Sequence, residues 1–85
     1  METLIRQTKL WFYEGTSDKV YVAQVIQTGD GYYEVRGNWG RRGKTMQSQT
    51  KGRFATEWQA TKAYMTLVAS KERKGYSVTD RTAFC

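Results

Sequence analysis

One apolar stripe at helical spacing limits how this chain can fold more than any other feature: Ala60, Ala63, Tyr64, Leu67, Val68 and Lys71 recur at steps of three and four residues. Residues at those steps share one side of an α-helix, and an apolar side has to be buried against another element. The start is marked by Thr56-Glu57-Trp58-Gln59, in which the Thr56 hydroxyl can meet the backbone N–H three residues on while Gln59 reaches back. The end is marked by Lys71, Arg73 and Lys74, cations that suit a helix C-terminus, and by Gly75 as a stop. A helix over residues 56–74 therefore needs a surface to lie on.

The residues before it supply a sheet. Residues 8–13 are rich in aromatic and β-prone types, and residues 14–18 have the polar, glycine-bearing composition of a connection. Residues 19–28 predict a second strand with apolar side chains on both alternating sets, Val20, Val22 and Ile26 against Tyr21, Ala23 and Val25, the pattern of a central strand covered on both sides. Gly29-Asp30-Gly31 is a hairpin turn. The third strand, residues 32–39, places Tyr33, Val35 and Trp39 on a core face and Tyr32, Glu34, Arg36 and Asn38 on a wet one. Gly40 and Gly43 bracket a tight turn into a polar edge strand over residues 44–50. A short fifth strand over residues 76–79 is the remaining candidate, and residues 79–85 carry no signal. The expected fold is α+β, an antiparallel sheet of about four strands packed against one long C-terminal helix, in a single domain over residues 1–85 with its core at about 8–78.

Composition excludes several chemistries. There is no histidine and one cysteine, Cys85, so neither an internal disulfide nor a four-ligand zinc site can form within the chain. No two acidic residues are adjacent, and the glycine-rich segment 37–43 contains a bulky tryptophan and leads towards a strand rather than a helix, unlike a phosphate-binding loop. These features predict a protein that is not an enzyme and takes no cofactor, metal or small-molecule substrate. Met1-Glu2-Thr3-Leu4-Ile5-Arg6 lacks the hydrophobic stretch of a signal peptide or membrane span, which predicts a cytoplasmic protein with no membrane partner.

The formal net charge is +6, and residues 35–56 hold six Lys or Arg with no Asp or Glu. Clustered cations raise the local concentration of polyanions, so nucleic acid is the leading partner. Within this run, Asn38-Trp39-Gly40-Arg41-Arg42-Gly43-Lys44 combines an aromatic, two glycines and three cations. Arg41 offers a planar fork that can hold two phosphate oxygens, or it can form an ion pair with a carboxylate such as Glu34. Trp39 can stack on a base or sugar, or fill the end of the core. Arg42, Lys44, Lys51 and Arg53 read as a looser basic rim. Trp11 and Trp58 read as core or core-edge residues, and Tyr76 either packs behind the helix stop or lines the binding surface.

Trp39-Gly40-Arg41 followed by Gly43 closely resembles the signature of the WGR domain, a DNA-contacting module best known from poly(ADP-ribose) polymerases. Asp18-Lys19-Val20-Tyr21 is similar to the family's Asn-Lys-aromatic-Tyr strand start. Tyr32-Tyr33-Glu34-Val35-Arg36 resembles its aromatic strand, and Lys71-Glu72-Arg73-Lys74-Gly75-Tyr76 its bacterial helix ending. The likeness spans roughly residues 8–78. It implies a module contacting duplex DNA or DNA ends, among them 5′-phosphorylated ones, through Lys19, Trp39, Gly40 and Arg41, and Arg42 and Lys44 join that candidate surface by their own charge. The ADP-ribosylation chemistry of those polymerases belongs to a separate catalytic domain. Asp18 replaces the usual Asn and would repel a phosphate, whereas Arg42, in place of Val or Ile, adds charge. The alternative partner for the same surface is an acidic protein.

Overall fold

The computed structural model describes residues 2–15, 17–41 and 43–83. Four strands, β1 (Thr3–Glu14), β2 (Ser17–Gln27), β3 (Tyr33–Arg41) and β4 (Gln47–Phe54), run as an antiparallel meander. They are followed by α1 (Glu57–Arg73) and β5 (Ser77–Ala83), which returns to pair with the free side of β1. The sheet order is β4-β3-β2-β1-β5.

The fold is thus α+β with five strands, not about four. The short fifth strand expected over 76–79 is present as β5 and runs on through residues 80–83, which the sequence left without structure. As an edge strand it is held by backbone pairing with β1, and the Thr79 hydroxyl adds a bond to the Lys9 carbonyl at 3.2 Å. An edge strand needs no apolar alternation. Phe84 and Cys85 lie outside the described residues. β4 starts three residues later than the sequence suggested, because the turn after β3 takes in the residues up to 46.

α1 covers one face of the sheet. The Thr56 hydroxyl accepts the Gln59 N–H at 3.2 Å, fixing the helix start. Ala60, Tyr64 and Val68 of the stripe are buried against Leu10, Tyr21, Ala23, Val25 and Val35. The Tyr64 hydroxyl enters the sheet and is hydrogen-bonded to the buried Thr8 hydroxyl. Trp58, expected at the core or its edge, is 71% exposed. It lies two positions before Ala60, about 200° around the helix from the buried stripe.

The opposite face carries no second layer among the described residues, so β2 is central but covered on one side only. Tyr21, Ala23 and Val25 lie under α1, while of the other set Val20 and Val22 are half-exposed and Ile26 is buried. That open face carries a polar ladder in which Asn38 donates to Gln24 at 3.0 Å and Gln24 donates to Gln7 at 2.8 Å.

Candidate nucleic-acid interface

Strand register builds the site. β2 and β3 pair with Lys19 opposite Arg41, Tyr21 opposite Trp39 and Ala23 opposite Gly37. Because side chains alternate, these residues all project to the α1 side of the sheet. Lys19 and Arg41, both exposed, form its outer row, and no carboxylate pairs with either among the described residues. Trp39 meets the packing expectation. It is half-buried against the core, with its ring stacked on Tyr21 at 6.3 Å between centroids and 13° between planes.

The same alternation removes two competitors. Glu34 lies on the open face and is engaged by Arg36 and Arg53, so it does not pair with Arg41. Asp18 also turns to the open face, where its carboxylate accepts the Trp11 indole N–H at 2.5 Å. The Asp18 carboxylate is thus turned away from the Lys19–Arg41 row.

Of the other residues singled out, Lys44 is exposed in the turn after β3, its N–H donating to the Arg41 carbonyl at 3.0 Å. Gly40 acts sterically: a Cβ there would meet the Met46 Cα and the Thr45 carbonyl oxygen, each at 3.3 Å. Arg42 lies outside the described residues. Arg53 is not a rim cation. It pairs with Glu34 at 2.9 Å and with Asp30, while Arg36 pairs with Glu2 at 2.6 Å and Glu34 at 2.8 Å. These contacts hold the Glu2 carboxyl below its ordinary range, chiefly through the Arg36 hydrogen bond, and push the Arg36 guanidinium further up. Asp30 is lowered first by the Thr28 hydroxyl and then by Arg53. The acid-free run of sequence thus loses two of its cations to carboxylates from elsewhere.

Inward from Trp39 the surface closes into a cleft of about 140 Å³ lined by Tyr21, Trp39, Lys51, Lys71 and Tyr76. The helix ending shapes it. The Tyr76 N–H bonds to the Lys71 carbonyl and the Gly75 N–H to the Glu72 carbonyl, with Gly75 at φ +105°, a Schellman stop that only glycine makes easily. This turn brings Tyr76 back against Phe12 at 5.5 Å and edge-on to Tyr21 at 6.3 Å, so it both packs and lines the cleft. Lys71 places its ammonium 4.5 Å from the Tyr21 ring centroid. Burial, then the charges of Lys74 and Lys51, push its pKa down. Reading Lys71 as a helix-dipole cation missed this. The signal was its position three residues after Val68, a cation in phase with the apolar stripe.

No curated protein and no solved structure matches the chain. The sequence model of the WGR domain matches residues 1–83, reaching beyond the quoted motifs to include all of β1 and β5. With Trp39 and Arg41 side by side on one face and Lys19 across from them, the chain belongs to the WGR domain family.

Proposed function

We propose that this protein is a non-enzymatic module that binds the phosphate backbone of duplex DNA and holds a 5′-phosphorylated end. The family is a nucleic-acid-binding one in proteins of the poly(ADP-ribose) polymerase type, which supports the general reading. The observation that carries the finer one is the Lys19–Arg41 row: two cations on adjacent strands, beside a half-buried tryptophan, with no carboxylate neutralising them among the described residues. The Arg41 fork grips two oxygens of a terminal phosphate, Lys19 supplies a second charge, and the Trp39 edge meets the terminal nucleotide. Lys44 and Arg42 extend the charge along the backbone. The contacts proposed here fall on phosphates and the terminal nucleotide, so binding carries little base preference.

The test is a titration with short duplexes that differ only in the 5′-phosphate. The phosphorylated duplex is expected to bind more tightly, with a slope of log K against log salt of about −4 to −5, from four to six phosphate contacts. Equal affinity for both duplexes overturns the end reading. No binding to either transfers the surface to an acidic protein partner.

A further inference from the structure

Two features of the cleft beside Trp39 go beyond what a core edge needs. Tyr21 is 2% exposed, and its hydroxyl has no hydrogen-bond partner among the described residues. A buried hydroxyl is ordinarily satisfied, as the Tyr64 hydroxyl is by Thr8. Lys51 and Lys71 also converge on the cleft, the Lys51 ammonium 5.4 Å from the Trp39 centroid and the Lys71 ammonium 4.5 Å from that of Tyr21. Neither is paired with a carboxylate among the described residues; Lys51 donates to the neutral Gln49 amide oxygen at 2.8 Å. An orphaned donor and two uncompensated cations around one small cavity are the complement of a tetrahedral oxyanion.

We propose that Tyr21, Lys51 and Lys71 form a second phosphate seat, which takes a phosphate further along the same DNA strand whose terminal phosphate rests on Lys19 and Arg41. The inference rests on the nucleic-acid reading above and deepens it by giving the strand a path. The Tyr21 ring lies beside Trp39, two residues inward from Lys19 and Arg41, and its hydroxyl reaches on to Gly37, four residues or about 13 Å along the strand, so the path runs from the outer row over Trp39 to the end of α1. One non-bridging oxygen accepts from the Tyr21 hydroxyl and the other lies between the two ammonium groups. The hydroxyl sits over Gly37, in the space a Cβ would fill, with the Lys51 Cε close to the same point. Access therefore requires the exposed Lys51 side chain to swing from Gln49 towards the ligand. Burial raises the Tyr21 pKa, so the phenol is present as a donor at neutral pH. An anion would also offset the burial and the Lys74 and Lys51 charges that lower the Lys71 pKa.

The test uses Tyr21→Phe, Lys71→Gln and, as the reference for the outer row, Arg41→Ala. Tyr21→Phe deletes a hydroxyl without a partner, so its melting temperature is expected to stay level or rise while duplex affinity falls roughly tenfold. A merely structural hydroxyl would not give those opposite signs. Lys71→Gln is expected to reduce the salt slope by about one. If both variants keep the parent affinity and slope while Arg41→Ala weakens binding, the seat is wrong and the nucleic-acid reading stands. If the parent binds no duplex, that reading falls and the strand-phosphate occupant falls with it. Inorganic phosphate is tested against chloride at matched ionic strength by following Tyr21 and Lys71 resonances. Saturable shifts that are lost in Tyr21→Phe and displaced by duplex support the seat. Shifts that duplex leaves unchanged identify a free-phosphate site and overturn the strand path.

Discussion

On the open face of the sheet, Arg36 and Arg53 stand in a chain of carboxylates, Glu2, Glu34 and Asp30, whereas on the helix-covered side Lys19, Arg41, Lys51 and Lys71 meet no carboxylate among the described residues. Strand alternation does the sorting. In β3, Glu34 and Arg36 fall on one face and Trp39 and Arg41 on the other, so a single strand presents neutralised charge on one side and free charge on the other. The comparison teaches that the net charge of a small sheet protein says little about where a polyanion can dock. Exposed ion pairs contribute little stability individually. Their consequence here is to leave the helix side as the face whose cations remain uncompensated.

The largest expected effect that would sharpen this contrast is Arg41→Ala, which should weaken binding to a 5′-phosphorylated duplex ten- to a hundred-fold, about 1.5–3 kcal/mol for a charge-assisted bond. Arg41→Lys keeps the charge without the fork, so it should lose preference for the phosphorylated end while retaining weak binding to internal duplex. Arg36→Ala and Arg53→Ala should leave affinity within about twofold, since their charge is already compensated. Fluorescence anisotropy on all four variants checks this. An Arg53→Ala loss as large as that of Arg41→Ala breaks the comparison.

Adjacent residues in β3 give the next test. Gly37 faces α1, and a Cβ there would overlap the Tyr21 hydroxyl oxygen, so Gly37→Ala must displace a packed ring at a cost of about 1–3 kcal/mol. Asn38 faces the open side and donates one half-exposed hydrogen bond to Gln24, so Asn38→Ala should cost only about 0.5–1 kcal/mol. Denaturant unfolding of both variants measures the difference. Equal costs would mean that the two faces are packed alike.

Much of the α1-side site was legible because alternation and punctuation are local. The start of α1 at Thr56, its stop at Gly75 and the placement of Trp39 on the core face all follow from residues a few positions apart. What was not legible depends on long-range register. With the fourth strand set at residues 44–50, Arg53 fell beyond it. Only the observed pairing of Glu34 with Arg53 across β3 and β4 shows that charge to be neutralised. The continuation of β5 past residue 79 was hidden for a related reason, since its place beside β1 rests on backbone bonds that leave no apolar pattern. The Tyr21 cleft needs β2, β3, β4 and the end of α1 together, and no single segment announces it.

The smallest effect concerns pH, and the two faces should respond at opposite ends of the scale. Glu2 and Asp30 have folded pKa values below their ordinary ones, so in mild acid the unfolded chain binds protons that the folded chain does not. Their contribution is present above the ordinary carboxylate range, near pH 4, and is lost as pH falls through the lowered values. Lys71 is also lowered, but it is a cation. At neutral pH its burial opposes folding, and stability should rise as pH climbs from its folded value towards its ordinary one near 10.5. Thermal melts of the parent should therefore drop in acid and gain slightly in mild alkali. Arg36→Gln should flatten the acid limb by releasing Glu2. Arg53→Gln should flatten it less, because the Thr28 hydroxyl is the larger influence on Asp30. Lys71→Gln should leave the acid limb intact and remove the alkaline gain. If Lys71→Gln instead changes the acid limb as Arg36→Gln does, the two faces share one electrostatic network and their separation by strand alternation fails.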